Sequence, residues 1–285
     1  MTLSRRHTRH VVAALLGAPA VLAAVLGGVS TARAGDPVTQ SPWSVGVNSQ
    51  ARLLAAGGPE PGAAVAYRAG IEIELKPGAH TYWREPGDAG VPPQVSFEGS
   101  RNLKSAQLRY PAPMRIDEGG LQVFGYLQSV ILPIEAVPAN AAEPVHLEVR
   151  FAYAACAKIC IPAEAHAALD LAPGDARGAD AGRLLTAAIS LPERVENGGP
   201  VSLAAKPVPG SGKPTWRIAV ERPRGPWRDL FVEAPEGWFF ETKRAGDGFE
   251  VSAAEQPKDA AASPQVTLTL TGPRDYEVKM DLPGS

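Results

Sequence analysis

The sequence has only two cysteines among 285 residues, and aromatic side chains make up only 6% of it. Two cysteines exclude a disulfide-stapled scaffold. Lysine and arginine number 28 against 30 acidic residues, so the chain lacks the basic excess of nucleic-acid-binding proteins. It also lacks the G-x-G-x-x-G, P-loop and G-x-S-x-G motifs, which argues against dinucleotide, nucleotide and serine-hydrolase chemistry.

Long apolar runs are absent except near the N-terminus. Three arginines lie within residues 1–10, an uncharged run spans residues 11–29, and small residues lead up to Ala34. This pattern predicts a signal peptide over residues 1–34, and the glycines in the run disfavour the alternative of a membrane anchor. Cleavage removes four arginines and no acidic residue, which changes the formal net charge from -2 to -6. We expect an acidic protein that works in an oxidising extracytoplasmic space without stable membrane insertion.

The 29 glycines and 28 prolines favour many short strands separated by turns. Apolar and polar residues alternate over residues 71–76 and, most clearly, over residues 145–153. This period of two is typical of half-buried strands. Similar short segments resume after residue 193, so we predict an all-β protein.

The length and the strand pattern predict two domains after the signal peptide. A first β-sandwich covers residues 35–175, and a second covers residues 193–285. Residues 176–192 form the linker, in which residues 183–189 have the composition of one or two helical turns.

Cys156 and Cys160 must be explained together because only three residues separate them. A straight strand would hold their Cα atoms about 13 Å apart, whereas a disulfide requires roughly 4.4–6.8 Å. The chain must therefore turn over residues 157–159. Strand alternation places Cys156 on the more polar face of the strand, which predicts accessible thiols.

Such a pair has three uses, namely reversible exchange, a structural staple and metal binding. A staple that closes so short a loop contributes only about 2 kcal/mol, whereas short bridges at turns suit reversible exchange. Lys158 and His166 are candidates for tuning the thiol pKa. We therefore favour a redox-active Cys156/Cys160 couple that requires no cofactor.

Metal binding is the alternative from a different class. Two thiolates can bind Cu(I), with Met114, His166 or His80 as a third ligand. A closed zinc site needs four ligands, and the histidines of the predicted mature chain have no zinc-finger spacing relative to the cysteines. Spacing therefore favours Cu(I) over structural zinc.

Several motifs resemble, in order along the chain, those of the N-terminal periplasmic domain of the DsbD/ScsB thiol:disulfide interchange proteins. They are Gly87-Asp-Ala-Gly-Val-Pro-Pro93 after Trp83, Tyr110-Pro-Ala-Pro113, Phe124-Gly-Tyr126, Leu132-Pro-Ile134 and Tyr153-Ala-Ala-Cys-Ala-Lys-Ile-Cys-Ile-Pro162. The resemblance covers roughly residues 63–171.

The resemblance implies an immunoglobulin-like β-sandwich that passes electrons from a membrane-embedded partner to periplasmic thioredoxin-fold proteins. ScsB-like members carry a second β-domain, which suits residues 193–285. The sequence ends at Ser285 without the family's membrane and thioredoxin domains, so we expect the electron donor to be a separate chain.

The resemblance also implies roles within the site. The second cysteine, Cys160, would contact the partner, and Cys156 would resolve the mixed disulfide. The family's aromatic cap loop corresponds to residues 117–120, which contain two glycines instead, so Phe124 or Tyr126 would replace the cap. The expected function is an exported thiol-disulfide relay or reductase module. The alternatives are a Cu(I)-binding or copper-tolerance protein and a structural adaptor with an inert disulfide.

Overall fold

A computed structural model describes residues 38–56, 67–173, 179–259 and 263–284. The predicted signal peptide lies outside these residues, so its cleavage stays a prediction. Among the residues described, every helix is too short or too polar to cross a membrane.

Strands dominate the described ranges, which contain nineteen of them and one helix. The N-terminal half, residues 38–173, contains β1 Ser44–Val45, β2 Ser49–Ala55, β3 Tyr67–Leu75, β4 His80–Gly87, β5 Gln94–Ser96, β6 Leu103–Leu108, β7 Met114–Glu118, β8 Leu121–Leu127, β9 Ser129–Pro138, β10 Val145–Cys156 and β11 Cys160–Leu171. Helix α1 Ala179–Ile189 follows. The C-terminal half, residues 193–284, contains β12 Glu193–Glu196, β13 Ser202–Pro207, β14 Thr215–Arg222, β15 Asp229–Glu233, β16 Phe239–Ala245, β17 Gly248–Glu255, β18 Gln265–Thr271 and β19 Tyr276–Asp281.

Two sheets form the N-terminal half. One has the order β1-β2-β3-β9-β6, and the other has the order β11-β10-β4-β8-β7 with β5 paired to β10. All of these pairings are antiparallel. Apolar side chains from both sheets, including Trp83, Leu132 and Phe151, form one buried core. This arrangement is a β-sandwich.

The clearest predicted strand is confirmed in β10. The residues with odd numbers from Val145 to Tyr153 are buried, whereas those with even numbers from His146 to Ala152 are half-buried or exposed. The alternation stops after Tyr153, because every residue from Tyr153 to Cys156 is buried. A second apolar layer therefore covers the outer face of the sheet at the end of β10.

The C-terminal half also consists of two sheets, in the orders β12-β19-β18-β15 and β13-β14-β17-β16. Its pairings are antiparallel except for β12 with β19, which is parallel. Trp216, Phe249 and Leu268 lie in the core between these sheets. The strand pattern that the sequence predicts after residue 193 is thus confirmed.

Helix α1 occupies much of the predicted linker and is longer than expected. Leu184 is buried against Leu54 and Ala56 of the N-terminal half. Asp180 accepts a 2.6 Å hydrogen bond from the Thr39 hydroxyl. Burial of one apolar face stabilises a helix that its short sequence would not maintain alone. The domain boundaries at residues 175 and 193 stay predictions.

The two halves share part of one core. Phe231 of β15 packs in the N-terminal core, where its ring centroid lies 5.0 Å from that of Phe124 and 5.9 Å from that of Trp83. Beside it, Arg115 donates hydrogen bonds of 2.6 and 2.9 Å to the Asp229 carboxylate. The C-terminal half therefore contributes a side chain that the N-terminal core needs.

Replacement of Phe231 tests this shared core. We expect Phe231→Ala to lower the free energy of unfolding by about 3–5 kcal/mol, because it leaves a cavity between aromatic rings. Urea unfolding followed by circular dichroism measures the change. Val47→Ala, at a residue that is 60% exposed, is the control and should change it by less than about 0.5 kcal/mol. Equal effects of the two substitutions would contradict the shared core.

Candidate functional site

The Cys156–Cys160 pair lies at the tip of the long β10–β11 hairpin. Twelve cross-strand pairs run from Val145 with Leu171 to Cys156 with Cys160. The Ala157 amide donates to the Ile159 carbonyl at 3.2 Å and closes the turn. The predicted turn over residues 157–159 is thus confirmed. The two sulfurs form a disulfide, and the Cα atoms are 3.9 Å apart.

The two cysteines differ in exposure. Cys160 is exposed, whereas Cys156 is 0% exposed. The prediction that both thiols are accessible is therefore wrong for Cys156. This residue does lie on the outer face of β10, as the alternation predicts, but Tyr82 and Val123 cover that face. Only one sulfur is open to a partner.

Tyr82 on β4 contacts both sulfurs. Its hydroxyl oxygen lies 3.1 Å from Cys156 Sγ and 3.2 Å from Cys160 Sγ. The same hydroxyl donates a 2.9 Å hydrogen bond to Glu118 Oε2. Burial, followed by the hydrogen bond and the charge of Glu118, raises the pKa of Tyr82 well above its usual value. The phenol thus remains a proton donor beside the disulfide.

Glu118 is the last residue of β7 and precedes the Gly119-Gly120 turn. Its Oε1 atom lies 3.1 Å from Cys160 Sγ. A disulfide sulfur carries no hydrogen, so Cys160 and Glu118 are only in contact in the oxidised state. After reduction, the Cys160 thiol can donate a hydrogen bond to this carboxylate oxygen. The turn region where the resemblance places a cap therefore does contact the disulfide, through a carboxylate.

His80 completes the group from the side of β4. His80 lies opposite Cys156 in the pairing of β4 with β10. The His80 ring packs edge-on against the Tyr82 ring, with the two ring centroids 5.4 Å apart. His80 is 6% exposed. Its Nε2 atom lies 3.4 Å from Glu118 Oε2, yet among the described residues it has no partner with hydrogen-bond geometry.

The comparisons with known proteins agree with this geometry. Residues 60–172 match the family described as thiol:disulfide interchange protein DsbD, N-terminal. Residues 60–172 belong to the DsbD N-terminal domain family. The expected resemblance over about residues 63–171 is thus confirmed. This family match, together with the Cys156–Cys160 disulfide, supports a thiol-disulfide interchange module.

One solved structure extends the likeness beyond this domain. The crystal structure of the N-terminal periplasmic domain of ScsB from Proteus mirabilis matches with a TM-score of 0.67 and 21% sequence identity. The match covers 87% of this chain and 99% of that chain, so it includes both halves. The predicted all-β, immunoglobulin-like fold is confirmed. No curated protein matches the sequence.

In this DsbD N-terminal domain, the motif over residues 87–93 holds Tyr82 in place. Gly90 has a φ of 104°, and a Cβ atom there would lie 2.5–2.8 Å from atoms of the Tyr82 ring. Asp88 links the segment to β8, because its carboxylate accepts a 2.8 Å hydrogen bond from the Gln122 amide. The motif therefore packs a loop against the aromatic ring that touches the disulfide.

Phe124 and Tyr126 do not cap the DsbD-type disulfide. Both are buried in the core of the N-terminal half, and the Tyr126 hydroxyl donates to the Pro111 carbonyl at 2.8 Å. They lie on β8, where the side chains that face the core alternate with those that face the outer layer. The aromatic residue that contacts the sulfurs is Tyr82, and the strand pattern alone does not identify it.

The sequence also suggested Lys158, His166 and Met114 as residues that tune the thiol pKa or bind a metal ion, and only Lys158 lies next to the cysteines in the chain. Lys158 is exposed in the turn between the cysteines. His166 lies six residues along β11, or about 20 Å away, and its Nε2 atom is 2.8 Å from Glu148 Oε1. Met114 pairs with Gly125 and is 47% exposed. The structure thus brings neither His166 nor Met114 to the cysteines, and His80 takes their place.

Gly90→Ala should open the covered side of the disulfide, because the new methyl group displaces Tyr82. In the reduced protein, we expect Cys156 to react with an alkylating reagent about 10-fold faster, which corresponds to roughly 1.4 kcal/mol of easier local opening. Mass spectrometry of time points measures the rate.

Gly210→Ala is the matched control. Gly210 has a φ of 75°, and among the described residues no other group lies within 4 Å of its added Cβ. This variant carries the same kind of backbone cost without the clash. If both variants expose Cys156 equally, the packing of Gly90 on Tyr82 does not shield the sulfur.

Proposed function

We propose that this protein relays electrons by thiol-disulfide exchange between a membrane-embedded donor and periplasmic thioredoxin-fold proteins. The observation that carries the proposal is the unequal exposure of the two sulfurs, since exchange needs one sulfur open to the partner and one that resolves the intermediate. Cys160 is exposed and Cys156 is 0% exposed. The predicted signal peptide and the likeness to a periplasmic domain support the location.

Reduction begins when a donor thiolate attacks Cys160 Sγ. The donor sulfur bonds to Cys160, the Cys156–Cys160 bond breaks, and Cys156 leaves as a thiolate. The Tyr82 hydroxyl lies 3.1 Å from Cys156 Sγ and can donate a hydrogen bond to that thiolate by turning its one hydrogen away from Glu118. The donor's second thiol then attacks the donor sulfur of the mixed disulfide, which forms a disulfide in the donor and releases Cys160. The donor loses two electrons, and the pair gains two electrons and two protons.

Delivery to the client reverses these steps. The Cys160 thiolate attacks the client disulfide and forms a mixed disulfide. Cys156 then attacks Cys160 Sγ, which releases the reduced client and restores the internal bond. Ile159 is 68% exposed beside Cys160 and offers the client an apolar contact. Lys158 supplies a positive charge in the same exposed turn, which favours thiolate formation.

The mixed disulfide provides the first test. We expect reduced Cys156→Ala to form a covalent adduct through Cys160 with oxidised glutathione, and with a thioredoxin-fold protein in periplasmic extract. The Cys160→Ala variant should react at least about 10-fold more slowly, because its remaining sulfur is buried. Non-reducing electrophoresis and mass spectrometry measure both reactions. Faster trapping by Cys160→Ala would reverse the roles, and no trapping by either variant would refute the relay.

The reduction potential separates exchange from an inert bond. We expect a potential near that of thioredoxin-like proteins, about -270 mV, since a relay must both accept and deliver electrons. Equilibration in dithiothreitol redox buffers, with thiol alkylation as the readout, measures it. A potential far below about -300 mV would indicate a structural adaptor with an inert disulfide instead.

A further inference from the structure

We propose that the reduced site binds one Zn²⁺ ion through Cys156, Cys160, His80 and Glu118. This inference shares with the proposed function the requirement that the disulfide can be reduced. Oxidised sulfurs are poor ligands, whereas thiolates bind zinc strongly. Metal binding would therefore follow the redox state of the pair.

The buried His80 nitrogen is the first observation. Its side chain is 8% exposed, and within the described ranges its Nε2 atom has no hydrogen-bond partner. A buried polar atom without a partner is costly and needs an explanation. One ring nitrogen of His80, one Glu118 oxygen and Cys156 Sγ all lie within 4.8 Å of one another. A metal ion bound by Nε2, Glu118 and Cys156 would supply the partner that Nε2 lacks.

The distances suit a tetrahedral ion. Zinc binds nitrogen and oxygen at about 2.0–2.2 Å and sulfur at about 2.3 Å, so neighbouring ligand atoms lie roughly 3.3–3.8 Å apart. His80 Nε2 and Glu118 Oε2 are separated by 3.4 Å, which lies within this range. The other oxygen of the same carboxylate, Oε1, lies 3.1 Å from Cys160 Sγ, slightly below it. Reduction breaks the S–S bond and lets the two sulfurs separate toward such a spacing.

The ligand types favour zinc over Cu(I). A carboxylate is a hard ligand that Cu(I) avoids, whereas zinc accepts sulfur, nitrogen and oxygen together. A phosphine reductant supplies two electrons to the disulfide and is itself oxidised, and the pair takes up two protons. Zn²⁺ then displaces these two protons as it binds both sulfurs. The complex holds both thiolates and therefore stops exchange until the metal leaves.

Cobalt titration of the reduced protein tests the site directly. After anaerobic reduction, a thiol assay first verifies that two thiols are free. We expect Co²⁺ to bind one-to-one with thiolate-to-cobalt charge transfer and the visible bands of tetrahedral cobalt, and Zn²⁺ to displace it. The oxidised protein should show neither signal.

Variants identify the ligands. Loss of a partner that only orients a metal ligand costs 10–100-fold in affinity, so loss of a ligand itself should weaken zinc binding at least about 10-fold. We expect this for Glu118→Gln, whose carboxylate is only partly buried, and for His80→Gln. His166→Gln is the matched control and should leave the affinity unchanged, because that ring contacts Glu148 instead.

Reduced protein with two free thiols that binds neither Co²⁺ nor Zn²⁺ would overturn the proposal and leave the relay unaffected. Equal affinity of Glu118→Gln and His166→Gln, or binding of Cu(I) without Zn²⁺, would also overturn it. Conversely, a protein that binds zinc as expected but forms no mixed disulfide would refute the relay while the metal site stands.

Discussion

The pairing of Cys156 with Cys160 at the end of the β10–β11 hairpin is the constraint on which the site depends. Residues on facing strands of an antiparallel pair have side chains on the same face of the sheet, so the register fixes both sulfurs toward the outer face. β10 lies inside the sheet, between β11 and β4, whereas β11 lies at its edge. This difference leaves Cys160 exposed and Cys156 covered.

The outer apolar layer determines the chemistry around that pair. Tyr82 packs with Cys156 on this layer, while the next residue, Trp83, packs in the main core. One strand thus supplies a core side chain and a site side chain in succession, as strand geometry requires. The raised pKa of Tyr82 keeps its hydroxyl protonated, so the layer holds a neutral hydroxyl against two sulfurs.

Much of the fold was predictable because its signals are local. The alternation over residues 145–153 and the distance limit on the disulfide identify β10 and its turn, and local motifs identify the family. Burial of Cys156 was not predictable, because alternation identifies a face of a strand and not what covers it. Likewise, His80 and Glu118 meet the cysteines only through the packing of separate strands, so their spacing in the sequence contains no zinc-finger pattern.

The ion pair between Arg115 and Asp229 has a mechanical consequence for the disulfide. Arg115 lies near the start of β7 and is fixed to the C-terminal half, whereas Glu118 lies at the other end of that strand. The β7–β8 hairpin is therefore held at both ends, by Asp229 beside Arg115 and by the hydrogen bond from the Gln122 amide to Asp88 near Glu118. These two attachments fix the strand that presents the Glu118 carboxylate to Cys160. The C-terminal half thus helps to position a group that touches the disulfide.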